Sequence, residues 1–131
     1  MHKLSLVILL CFGASSLWAS AEVVPIEVLY SKTYEKCMRD AMNEYDALAC
    51  TEHEITRADK KLNIAYKEAM KRVAPFRRKD LRNVERQWMK YRDAKCNFLY
   101  HKESGSAGLG AAAECKLNET IKRSIELQNT Y

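Results

Sequence analysis

The residues of this chain that could do chemistry are five cysteines, three histidines and seventeen Asp and Glu, and their spacing favours cross-linking over catalysis. His53 and His101 lie in separate segments, where each reads as a surface or boundary residue rather than a general base. Glu52 and Glu54 pair two acids at i, i+2, a spacing that aims them at different faces of a helix, so they cannot flank one scissile bond. The chain has no nucleophile signature, no phosphate-cradling glycine loop and no metal-binding helix motif. Cys37, Cys50, Cys96 and Cys115 are separated by 13, 46 and 19 residues, without the close pair that structural zinc favours, and only His53 and His101 remain near them as nitrogen donors. Neither a metal nor a cofactor is expected. Binding or structure is favoured over an enzyme.

Residues 1 to 21 set the compartment in which those cysteines work. His2 and Lys3 form a short basic start, Leu4 to Phe12 is almost wholly apolar, and Ala19-Ser20-Ala21 offers small residues for a signal peptidase. Cleavage after Ala21 leaves a single domain over residues 22–131, expected in the periplasm or secreted. The apolar run is shorter than the roughly 20 residues that span a bilayer, and none of that length follows, so no membrane span is expected. Cys11 follows Leu10 inside the apolar run, which is the wrong context for lipid attachment. An even count of four remaining cysteines in a small exported chain implies two disulfides.

Charge is segregated along the chain. Between Asp40 and Asp59 there are six acids against Arg57 alone, whereas Lys60 to Lys95 holds thirteen bases against Glu68, Asp80, Glu85 and Asp93. Nucleic acid is an improbable partner for an exported protein. The acidic stretch, with Glu52 and Glu54 as its docking acids, could steer a basic protein, and the basic surface around Lys71, Arg72, Arg77, Arg78, Lys79 and Arg82 could contact an anionic envelope component.

The elements that position these residues read as helices. Past the leader the prolines are Pro25 and Pro75 and the glycines Gly105, Gly108 and Gly110, so breakers are few and clustered. An all-α domain of about four antiparallel helices is expected. The first begins in the high twenties, with Tyr30, Tyr34, Cys37 and Ala41 on one face. The second runs to about Val73 and starts either at an Asn43 cap or at a Thr51 and Glu54 capping box. Asp80 suits the N-cap of the third, whose seam reads Leu81, Val84, Trp88, Tyr91, Lys95 and Phe98 to an end near Tyr100. Tyr34, Tyr66, Trp88 and Tyr91 fall on predicted seams and read as core. Ser104 to Gly110 separates the third helix from a fourth carrying Ala113, Leu117, Ile121, Ser124 and Leu127 on its apolar face.

Two pairings follow from the hairpins. Asp59 stands on the second helix's apolar seam and needs a partner there, and an antiparallel turn at Phe76 and Arg77 brings Arg92 within a turn of it. Three disulfide connectivities are possible in principle. Cys96 and Cys115 lie symmetrically about position 105.5 and Cys37 and Cys50 about 43.5, which favours two local bridges provided that the helices pack closely.

The strings ADKKLNIAY (Ala58 to Tyr66) and QWMKYRDAKC (Gln87 to Cys96), with the glycine-containing segment before Cys115, resemble the lysozyme-inhibitor LprI-type domain of small exported bacterial proteins. The resemblance covers about residues 34 to 128 and is carried by the four cysteines with Asp59, Leu62, Asn63, Tyr66, Gln87, Trp88, Arg92 and Asp93. It implies an inhibitor of lysozyme or of a related cell-wall hydrolase, with lysozyme or another envelope protein as partner. None of the motif residues carries an inhibitory role from the family. Their periodicity argues for scaffold. The alternative is a non-enzymatic periplasmic helical module that works through its basic surface.

Overall fold

The computed structural model describes residues 29–131, and the expected leader lies outside them. Four α-helices, α1 (Lys32–Asp40), α2 (Glu44–Arg72), α3 (Arg78–Asn97) and α4 (Gly105–Thr130), are joined by short connections that include 3-10 turns at Pro75–Arg77 and Lys102–Ser104. No strand occurs among the described residues.

Local chemistry sets each boundary. Ser31 caps α1, its hydroxyl accepting the Tyr34 N–H at 3.0 Å, so this helix starts later than the high twenties. For α2 the Asn43 start is the one adopted: its side-chain oxygen accepts the N–H groups of Tyr45 and Asp46 at 2.9 and 3.0 Å. Thr51 is mid-helix instead, donating to the Ala47 carbonyl at 3.0 Å. Asp80 does not cap α3. It sits in the first turn, where a carboxylate suits the helix dipole, and pairs with Arg77 at 3.1 Å. The glycine-rich stretch is not a loop either, because α4 begins at Gly105, whose φ of +57° only glycine adopts readily, and continues through Gly108 and Gly110. A Cβ at Gly108 would lie 2.6 Å from the Ser104 Cβ, so the tight reversal into α4 requires glycine there.

The closest helix pair is α2 with α4. These two run parallel, since Glu44 meets Ser106 at one end and Arg72 reaches the Leu127 carbonyl at 2.6 Å at the other. The intervening α3 returns antiparallel and packs on α4, while α1 folds back along the start of α2. Ala58, Ala65 and Ala69 face the core from α2 and permit the close approach. One core cluster gathers Tyr34, Cys50, Ala58, Leu117 and Ile121, and a second gathers Leu62, Ala65, Ala69, Leu81 and Leu127.

Both local disulfides are present, Cys37–Cys50 with Cα atoms 5.8 Å apart and Cys96–Cys115 with 5.4 Å. The seam of α3 differs from the expected one. Leu81 is buried and Trp88 half-buried, but Val84, Tyr91, Lys95 and Phe98 are exposed. The line turned inward is Leu81, Glu85, Trp88, Arg92 and Cys96, because two of its charged members find partners on α4, at Arg123 and Thr120.

Candidate functional site

The motif residues on α2 and α3 meet around Trp88. Leu62 is buried, and Tyr66 and Trp88 pack on the same cluster. The Arg92 guanidinium lies 5.1 Å from the Trp88 ring centre, donates to Asp93 at 3.0 Å and to the Thr120 hydroxyl at 3.2 Å, and stands 3.7 Å from the Asp59 carboxylate. Arg92 is nearly buried, its side chain 13% exposed, whereas Asp59 is 46% exposed, so this pair is half in water rather than in the core. Asn63 and Gln87 are exposed, and Asn63 borders a shallow groove with Tyr66, Arg82, Arg86 and Met89.

Among the described residues a more deeply buried ion pair lies elsewhere, and periodicity alone does not reveal it. Glu85 accepts two hydrogen bonds from Arg123, at 3.0 and 2.9 Å, with both side chains largely withdrawn from solvent. Arg123 also pairs with Glu126 at 2.8 Å and lies 5.8 Å from the Trp88 and Tyr131 ring centres. Burial pushes the Arg123 pKa down, but hydrogen bonds and charge from Glu126 and Glu85 outweigh it and leave it above its ordinary value. The available signal was positional: Thr120, Arg123 and Leu127 share one face at i, i+3 and i+7.

The two docking acids separate sharply. Glu54 is buried at 3% exposure, and its carboxylate accepts the Ser31 N–H at 2.8 Å, the Ser31 hydroxyl at 2.7 Å and the Arg57 guanidinium. Burial raises its pKa, yet the hydrogen bonds from Arg57 and Ser31 hold it below the ordinary carboxylate value. Glu54 therefore ties the start of α1 to α2 and is not offered to a partner. Glu52 is exposed and borders a depression between α2 and α4 lined by Leu48, Ile55, Leu109, Ala112 and Ala113, with Asn97 and Lys116 also on it.

Around Glu52 the bundle end holds both chain reversals that the disulfides brace. The α1–α2 turn exposes Met42 at 90%, with Tyr45 beside it, and the α3–α4 turn exposes Phe98 at 87%, with Leu99 and Tyr100. Of the acids in residues 44–56, Glu44, Asp46 and Glu52 are exposed, and the segment has no Lys or Arg. Exposed apolar side chains held on braced turns, with carboxylates beside them, have the composition of a protein-docking surface.

A family model described as lysozyme inhibitor LprI matches residues 35–127. The chain belongs to this family. The LprI span contains both disulfides, the Trp88 cluster and the Glu85–Arg123 pair. No curated protein and no solved structure matches the chain.

At the opposite end of this LprI domain the basic surface is only partly free. Arg72 donates to the carbonyls of Leu127, Gln128 and Tyr131, closing the end of α4, and Arg78 donates to the Met70 carbonyl at 3.0 Å. Lys71 pairs with Glu68 at 2.7 Å, and Lys79 and Arg82 are exposed with no ion pair among the described residues. No helix among the described residues is long and apolar enough to cross a membrane.

Proposed function

We propose that this protein is an exported, non-enzymatic inhibitor that docks on lysozyme or a related cell-wall hydrolase through its disulfide-braced end. The observation that carries the reading is membership of the lysozyme inhibitor LprI family over residues 35–127. Two physical features support it. The bridges fix the turns that present Met42 and Phe98, so little conformational entropy remains to be lost on docking. Glu52, with the exposed Glu44 and Asp46, supplies local attraction for a basic enzyme although the chain as a whole carries a formal charge of +5. Two disulfides in a small chain accord with a periplasmic or secreted location.

A lytic assay tests the reading directly. The oxidised chain should slow lysozyme on cell-wall substrate and co-elute with it in gel filtration, with the effect weakening as salt is raised. An oxidised, folded chain that leaves lysozyme and other peptidoglycan hydrolases at full rate at low salt would refute it.

A further inference from the structure

The end of the bundle opposite the disulfides carries a feature that a hydrolase inhibitor does not need. Phe76 is 81% exposed at the outermost turn of the α2–α3 reversal, while its neighbour Val73 packs into the core. The turn is stiff: Pro75 fixes its own φ, and the Arg77 N–H donates to the Ala74 carbonyl at 2.8 Å. Over residues 71–82 there are six cations against Asp80 alone. Arg72 and Arg78 turn inward to helix carbonyls, Lys71 pairs with Glu68 and Arg77 with Asp80, and Lys79 and Arg82 are exposed on the same reversal with no ion pair among the described residues.

We propose that this tip is a membrane wedge, in which Phe76 enters the interfacial layer of an anionic lipid bilayer while Lys71, Arg77, Lys79 and Arg82 contact its headgroups. Charge complementarity selects an anionic surface, and an exposed aromatic ring within a cationic collar is the combination that interfacial anchors use. Docked this way, the 29-residue α2 would hold the disulfide-braced end about 40 Å from the bilayer.

The test is co-sedimentation of the oxidised chain, and of variants of identical length, with vesicles of phosphatidylglycerol in phosphatidylcholine and of phosphatidylcholine alone. The wild type should bind only the anionic vesicles and be released at about 0.5 M salt. Phe76→Ala should weaken binding about tenfold or more, and Lys79→Gln with Arg82→Gln about twenty-five-fold, at about fivefold for each cation lost. Phe76→Trp should add an emission component that shifts to the blue on anionic vesicles and is quenched by brominated acyl chains. Equal binding to both vesicle types, a Phe76→Ala variant that binds like wild type, or an unshifted Phe76→Trp emission would each overturn the proposal. So would retention on heparin without vesicle binding, which would assign the collar to a soluble polyanion.

Discussion

The Glu85 carboxylate accepts two hydrogen bonds from the Arg123 guanidinium, at 3.0 and 2.9 Å, and this pair joins α3 to α4 inside the bundle. Removing one member leaves the other withdrawn from water without its main partner, at a cost of about 3 to 5 kcal/mol. Arg123→Ala should be the worse of the two in urea unfolding, since Arg123 also packs against Trp88 and Tyr131, whereas Glu85→Ala leaves Arg123 with Glu126. The double replacement Glu85→Leu with Arg123→Met should cost less than the sum of the singles. Additive losses would show that the two groups are not energetically coupled.

Asp59 and Arg92 should behave differently from that pair. Asp59 is half in water and 3.7 Å from Arg92, so Asp59→Ala should cost under about 1 kcal/mol. Arg92→Ala also removes the Thr120 hydrogen bond and the packing on Trp88, and should cost about 2 kcal/mol. Matched losses from the two single variants, measured by thermal or urea unfolding, would contradict this asymmetry.

The contrast marks how far the sequence could be read. Helix number, the two bridges and the approach of Asp59 to Arg92 follow from few breakers, symmetric cysteine spacing and hairpin arithmetic, all of which are local or nearly so. The inward face of α3 did not follow. Val84, Tyr91 and Phe98 form the better apolar stripe, yet Glu85 and Arg92 turn inward because Arg123 and Thr120 stand opposite them on α4. Hydrophobic periodicity scores each helix alone and cannot register charges satisfied across helices. For the same reason Glu54 read as a surface acid, when Ser31 and Arg57 make it a buried tie. Nor could spacing alone show that Gly108 and Gly110 sit inside a helix, since the tight approach to Ser104 arises only once the chain has reversed.

Glu54 should give stability a dependence on acid pH. Burial opposes its ionised form, but Arg57 and Ser31 prevail and set the folded pKa below the ordinary 4.5. A lowered folded pKa means that stability is fully present above 4.5 and lost as pH falls through the folded value. The gap in unfolding free energy between wild type and Glu54→Gln should therefore shrink from about pH 6 toward about pH 2. A gap that stays constant over that range would assign the Glu54 contribution to shape rather than charge.

Each disulfide closes a short loop, of 13 residues for Cys37–Cys50 and 19 for Cys96–Cys115, and should contribute roughly 3 kcal/mol by restricting the unfolded chain. The consequences differ by location. Replacing Cys37 and Cys50 with Ser should raise hydrogen exchange in α1, which has only nine residues and is held otherwise by Tyr34 and the Ser31–Glu54 contacts. Replacing Cys96 and Cys115 should lower global stability more than local protection, because Cys96 is fully buried. Unchanged exchange in α1 after the first replacement would mean that Tyr34 and the Ser31–Glu54 contacts secure it without the bridge.

If the braced end docks on a basic hydrolase, Glu52 and Glu54 should part company under charge reversal. Glu52→Lys alters an exposed carboxylate at the edge of the α2–α4 depression, so it should leave unfolding unchanged while slowing association severalfold, an effect that disappears at high salt. Glu54→Lys would set a cation against Arg57 in a buried site and should destabilise the fold before any effect on binding can be read. Phe98→Ala and Met42→Ala remove exposed side chains and so should also spare stability. As apolar anchors at the centre of a docking surface they should raise the inhibition constant about tenfold or more, chiefly through faster dissociation. Inhibition that survives all three surface changes while Lys79→Gln with Arg82→Gln abolishes it would move the hydrolase contact to the opposite end of the bundle, and the tip could not then be reserved for a lipid surface.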